Sequence, residues 1–380
     1  MLIYNAHIVS PQRHIPNGAV LIKDGRVVEV FEDEHDWPLV QEKIDAQGQL
    51  LVPGFIDIHT HGIGGYDVSD GTLEAITTIS KLKMQEGTTT YCPTTLTLSK
   101  EKLQRSMAAV AAYKRKEAYA KVAGVHLEGP FVSREYIGAQ NPDYARLPDF
   151  SEIQELNAIT PVAIVTYAPE LDGGMDFTSA LSALGIIPSA GHSSATCSCI
   201  RQAEKVGLKH LTHFGNQMRP MHHREIGMVG AGLMDDALLI EIICDKIHLS
   251  EDMLQLVYRI KRRDQIAVVT DSLAATGLPD GDYDLGGMPI YVKNSEARLK
   301  HNKHLAGSTL RMNIALKNIA EVTGLPLEKL IQTTSYNQAK SLGIPDLGKI
   351  EANYVADLVL LKDDYSVSRV FVDGQEKYAN

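Results

Sequence analysis

Cysteine is scarce in this chain: Cys92, Cys197, Cys199 and Cys244 are the only four among 380 residues. So few thiols make no disulfide framework and suit a reducing compartment, which points to the cytoplasm. Cys197 and Cys199 are spaced CxC, and no second pair exists to complete a four-thiolate knuckle. No apolar run approaches the roughly 20 residues that span a bilayer. Met1 to Pro11 also lacks the charged start and apolar stretch of a secretory leader. Basic residues are in deficit, with 37 Lys and Arg against 47 Asp and Glu and a formal net charge of −10. An acidic chain without a basic block is not expected to bind nucleic acid or an anionic membrane surface. Any phosphorylated ligand must be held by a few local basic groups. Internal repeats and low-complexity stretches are absent as well.

What is present is apolar and periodic. Hydrophobic residues make up 44% of the chain, enough for a large core. One barrel with an accessory domain suits this length better than three ordinary domains. Residues 1–50 read as short strands (Leu2–Val9, Ala19–Lys23, Arg26–Phe31) with Asp24-Gly25 as a hairpin turn. The last 35 residues repeat that character in Leu358–Leu361 and Val367–Val372, with Asp373-Gly374 as a second turn. The two ends, 1–50 and 345–380, are therefore expected to form one small β-sandwich domain. The middle, 51–344, holds eight apolar runs: Leu51–His59, Thr88–Thr94, Val122–Glu128, Val162–Ala168, Gly185–Ala190, Leu208–His213, Ala237–Cys244 and Gln265–Thr270. Amphipathic segments such as Gly71–Glu86, Lys100–Lys116, Ala195–Val206 and Ser250–Arg262 lie between them, and a helical region from Leu310 to Leu342 follows the eighth. Eight near-continuous strands separated by helices predict the α/β class, a parallel sheet closed into a TIM-like (β/α)8 barrel.

Chemistry-bearing residues fall at the ends of those runs. His59 and His61 share one face of an extended segment, so both imidazoles can grip one cation, although an HxH is equally compatible with surface or core histidines. Glu128 closes the third run, where a carboxylate is costly to bury without a cation, either a basic side chain or a metal. His192, His213 and Asp271 close the fifth, sixth and eighth. Each is bland alone. Together they put candidate ligands at the ends of five strands of one expected barrel. A set of His, Glu and Asp without thiolate suits a divalent ion: Zn above all, or Fe, Co or Mn. Asp280-Gly281-Asp282 reads as a turn and not a calcium loop, because further spaced oxygen ligands are missing.

The segments PGFIDIH (Pro53–His59), HLEGPF (His126–Phe131), AGHS (Ala190–Ser193), Thr212-His213 and VTD (Val269–Asp271) resemble the amidohydrolase superfamily. With LAGSTL (Leu305–Leu310), Gly348-Lys349-Ile350 and Ala356-Asp357-Leu358, the chain is similar over nearly its whole length to the N-acetylglucosamine-6-phosphate deacetylase branch. The resemblance implies that Glu128, His192 and His213 hold the main metal. It implies a second ion on His59 and His61 with Glu128 shared, and Asp271 as general acid/base. Substrate contacts implied are Ala139, Gln140, Asn216, Gln217, Asp245, His248, Leu305, Ala306 and Gly307. Arg224 would reach the phosphate in a neighbouring subunit's site, which implies a homodimer. Three residues depart from the branch pattern. Gln140 stands where a histidine is common, Gln217 where alanine is usual, and Lys246 where a small residue is usual. An amide can donate a hydrogen bond but cannot become cationic, so the second ion is the candidate for polarising the carbonyl. The expected reaction is deacetylation of N-acetylglucosamine 6-phosphate. The alternatives are its galacto epimer, another amide or cyclic-imide hydrolase, and a catalytically silent barrel. No lysine on the fourth run (Val162–Pro169) is available for carboxylation, which speaks against the cyclic-imide class.

Overall fold

The computed structural model describes all 380 residues. Each of the eight apolar runs contributes a barrel strand: Phe55–Thr60, Thr88–Thr95, Val125–Glu128, Val162–Tyr167, Ile187–Ala190, His210–Leu211, Leu239–Ile243 and Ile266–Val269. Neighbours pair in parallel, first to second and onward to the eighth. These strands are buried nearly throughout because helices cover the outside, hence the continuous apolar runs. The helices start where capping side chains permit. Ser250 accepts from Met253 N at the head of Glu251–Ile260, and Ser99 from Lys102 N at the head of Lys100–Lys114.

The seam between the eighth and first strands is closed differently. Asp271 N donates to His59 O at 2.8 Å and His61 N to Ser272 O at 2.8 Å. Below them, Thr270 Oγ1 donates to Asp57 Oδ2 at 2.5 Å. Lys83 reaches in from the helix Leu73–Lys83, placing Nζ 2.8 Å from both Asp57 Oδ2 and Glu86 Oε1. The Lys83, Asp57 and Glu86 side chains are wholly shielded from solvent. Burial opposes the ammonium charge, but Asp57 and Glu86 outweigh it and raise the Lys83 pKa.

Leu51–His59 is two strands rather than one. Leu50–Pro53 pairs with the terminal strands, and Phe55–Thr60 starts the barrel. Gly54 lies between them, and a Cβ there would sit 2.2 Å from Thr89 Oγ1. The two chain ends meet as expected: Leu50–Pro53 links the N-terminal strands to Leu358–Leu361, within one hydrogen-bonded sheet of eight strands. That sheet has its own cluster of 14 buried residues, including Ile3, Ile8, Leu51 and Phe371.

Asp280-Gly281-Asp282 is more than a turn, because Gly281–Leu285 is the first of three antiparallel strands, with Met288–Lys293 and Glu296–Leu299. The loop after it delivers Leu305 to the barrel mouth. The helical region from Leu310 to Leu342 is broken into Met312–Thr323, Leu327–Leu330 and Tyr336–Ser341, with Gly324, Leu325 and Pro326 at the first break.

Candidate active site

The carboxyl ends of the strands bring Glu128, His192 and His213 together. Glu128 Oε1 lies 3.2 Å from His192 Nε2 and 3.0 Å from His213 Nε2, and the two imidazole nitrogens are 3.1 Å apart. A tetrahedral ion with bonds of about 2.0–2.2 Å keeps its donors roughly 3.3–3.5 Å apart, so the triangle fits an ion to within a few tenths of an ångström. His59 Nε2, His61 Nε2 and Asp271 Oδ1 form a second triangle. Asp271 Oδ1 is 3.5 Å from the first and 3.2 Å from the second. Glu128 joins the groups, with Oε1 3.6 Å from His59 Nε2 and Oε2 3.3 Å from His61 Nε2.

The imidazoles are aimed by what lies behind them. His192 Nδ1 faces Tyr136 O at 2.8 Å, His61 Nδ1 faces Thr94 O at 3.1 Å, and His59 Nδ1 faces Glu241 Oε2 at 3.0 Å. These oxygens only accept, so each Nδ1 carries the hydrogen and each Nε2 presents a lone pair inward. His59 Nε2 is buried and has no hydrogen-bond partner. An orphaned lone pair in such surroundings is what a cation would satisfy. His126 is different: its Nδ1 donates to Ile58 O and its Nε2 meets Thr166 Oγ1, so both nitrogens are engaged. Burial pushes its pKa down to about 3, which keeps it neutral.

The electrostatics agree with a cation site. Burial alone would neutralise His59, yet Asp271, Glu128 and Glu241 outweigh it and raise its pKa to about 9: the carboxylates favour positive charge at Nε2, which either a proton or a metal ion supplies, the one displacing the other. Burial likewise opposes the Glu128 charge, and the surrounding imidazoles hold it well below the usual carboxylate range. Asp271 is lowered in the same way by His59 and His61, against burial, and so stands as a carboxylate. Three of these residues have left-handed backbones without being glycine: His192 (φ 47°), His213 (φ 32°) and Asp271 (φ 50°). Such conformations cost on the order of 1–3 kcal/mol each and persist where the surroundings impose them.

Of the expected substrate contacts, Ala139, Gln140, Asn216, Gln217, His248, Leu305 and Gly307 line the same cleft. Three do not. Ala306 is fully buried. Asp245 sits behind His248, accepting from its Nδ1 at 2.6 Å. Arg224 is exposed on a loop, with Nη1 2.6 Å from His223 Nε2. Lys246 is paired with Glu321 and Glu251 at 3.1 and 3.4 Å. Gln140 turns its amide inward, accepting from Thr97 N at 2.7 Å and donating to Glu128 Oε2. A separate cavity of about 360 Å³, lined by His210, Lys209 and Lys340, lies at the opposite end of the barrel. Function in this fold belongs to the carboxyl end.

Sequence reasoning missed Glu241, which is wholly buried in the seventh strand, Leu239–Ile243. A lone carboxylate inside Leu-Ile-Glu-Ile-Ile was the available signal. Burial would raise its pKa, but His210 and His59 hold it well below the ordinary range. Leu96 and Leu285, also unanticipated, supply apolar walls to the cleft.

The amidohydrolase family model matches residues 50–377. The N-acetylglucosamine-6-phosphate deacetylase of Lysinibacillus sphaericus is 37% identical over 378 residues, covering 99% of this chain and 97% of the relative. The crystal structure of the Thermotoga maritima N-acetylglucosamine-6-phosphate deacetylase superposes with a TM-score of 0.91 at 36% identity, over 100% of both chains. A Mycobacterium smegmatis N-acetyl-D-glucosamine-6-phosphate deacetylase, a D267A mutant in complex with N-acetyl-D-glucosamine-6-phosphate, superposes with a TM-score of 0.94 at 30% identity. It covers 100% of this chain and 99% of that one. On the barrel, its shared cleft and these full-length similarities, the chain belongs to the amidohydrolase family and, within it, to the N-acetylglucosamine-6-phosphate deacetylases.

Proposed function

We propose that the chain hydrolyses N-acetyl-D-glucosamine 6-phosphate to glucosamine 6-phosphate and acetate. The observation that carries this reading is the convergence of Glu128, His192 and His213 beside Asp271 in one cleft. Glu128, His192 and His213 would hold one divalent ion, zinc first among Zn, Fe, Co and Mn. His59 and His61 would hold another, with Glu128 shared. The ion's contribution is Lewis acidity, which brings the pKa of water from about 16 toward 7.

The remaining steps belong to the chain's own residues. Asp271 accepts the proton of the attacking water as the oxygen adds to the acetamide carbonyl. Asp271 then returns that proton to the nitrogen, because an amine leaves only once protonated. Leu96, Leu285 and Leu305 limit the water around the reacting carbonyl, and Asn216, Gln217 and His248 offer hydrogen bonds to the sugar phosphate. Purified protein supplied with zinc should release acetate and a free amine from this compound. Absence of both products would refute the reading. Comparing kcat/KM for the gluco and galacto epimers decides the preferred sugar.

The cleft's lining includes no arginine or lysine. We propose that Arg224 serves the neighbouring subunit of a homodimer, where its guanidinium pairs with phosphate. Arg224→Ala should then raise KM about tenfold or more, the loss of a charged hydrogen bond, with kcat nearly unchanged. An unaltered KM removes the argument for a shared site. No helix is long and apolar enough to cross a membrane, and we place the enzyme in the cytoplasm. Residues 1–50 and 345–380 we read as an accessory unit to the catalytic barrel of 51–344.

A further inference from the structure

We infer that Glu241 is a positioning residue that commits His59 to the second divalent ion, and so decides whether the centre holds two ions or one. The inference rests on the two-ion reading above. Three ligand imidazoles have their Nδ1 hydrogen anchored, but the anchors are not alike. Backbone carbonyls hold His61 and His192, whereas a carboxylate, Glu241, holds His59 at 3.0 Å. A carboxylate fixes the tautomer and also makes the imidazole a stronger donor to a cation.

The other contacts of Glu241 are looser. Its Oε1 is buried without a hydrogen-bond partner, and His210 Nδ1, also unpartnered, stands 3.7 Å away. His213 N approaches Oε2 at 3.4 Å, so the same oxygen touches ligands of both groups. A fully buried anion with so few donors is destabilising unless positive charge is near. Lys83 is committed to Asp57 and Glu86. Three buried carboxylates, Glu128, Asp271 and Glu241, therefore surround the imidazoles. One divalent ion leaves that assembly anionic, and two outweigh it. Glu241 thus favours a second ion through its charge as well as through the His59 tautomer.

The test is metal binding to the apo-protein, followed by calorimetric titration with zinc. The native chain should bind two equivalents. Glu241→Gln keeps the shape and an acceptor oxygen but removes the charge. It should weaken the second equivalent by about 10- to 100-fold, the usual effect of losing a partner behind a ligand, and leave the first nearly unchanged. In a His59→Ala background, Glu241→Gln should have a smaller effect than in the native chain, because the part that runs through the His59 tautomer is already gone and only the charge part remains. Glu241→Asp, which keeps the charge but withdraws it by one methylene, carries the same test should Glu241→Gln not fold. Two tight equivalents in both Glu241 variants, or equal weakening of both sites, would overturn the inference while sparing the two-ion reading. A single equivalent in the native chain would overturn both.

Discussion

Asp271→Asn should lower kcat for acetate release by about 10²- to 10⁴-fold, the range carried by a positioned acid/base. In the function proposed above, this carboxylate takes a proton from water and returns it to nitrogen. Its Oδ1 lies 3.5 and 3.2 Å from His59 and His61, and it lines the same cleft as the Glu128 triad. The amide of asparagine keeps the shape and one acceptor oxygen but cannot accept and hold the proton. KM should change far less than kcat, because Asp271 is asked to act only as the amide is attacked and broken. Calorimetry should show substrate still bound to Asp271→Asn, and elemental analysis should show the Glu128 ion still present. A variant retaining more than a tenth of native kcat would exclude Asp271 from proton transfer.

Why Asp271 was readable in advance, and Glu241 was not, is a matter of where each breaks the pattern. Asp271, His192 and His213 each lie two residues past the end of a barrel strand, where a polar residue marks the barrel rim. The barrel was readable for the same reason, since buried parallel strands leave uninterrupted apolar runs. Glu241 sits inside such a run, and its partner His59 lies 182 positions away in sequence. Periodicity carries no information about a contact of that kind. Lys83 was hidden otherwise: a lysine in the last turn of an amphipathic helix reads as a solvated group complementing the helix dipole. Only the fold shows that this turn faces the seam between the first and eighth strands. The antiparallel insert escaped because Gly281 and Asp282, turn formers by composition, open a strand whose pairing is with Met288–Lys293. Arg224 is a fourth case. Its residue type could be matched to phosphate, but it is exposed on a loop and does not line the cleft of its own chain.

Lys83→Met should destabilise the native state by about 3–5 kcal/mol, the cost of stripping one partner from a buried ionic cluster. Methionine nearly preserves the stem volume, so the loss is electrostatic rather than a cavity. Asp57 and Glu86 would be left as carboxylates in a site with no solvent. Thr270 Oγ1 and Ser272 Oγ, each 3.2 Å from the ammonium, would lose a donor. Those two residues flank Asp271, so kcat should fall along with stability. Denaturant titration measures the first effect and acetate release the second. Electrostatic origin has a further consequence. Removing the stranded charges as well, in Lys83→Met with Asp57→Asn and Glu86→Gln, should recover much of the lost stability, because neutral amides cost less to bury than unpaired carboxylates. If the triple variant is as unstable as the sum of its parts, packing and not charge holds the seam. A loss below about 1 kcal/mol in Lys83→Met, the level of an exposed ion pair, would show that the cluster contributes nothing to closing the barrel.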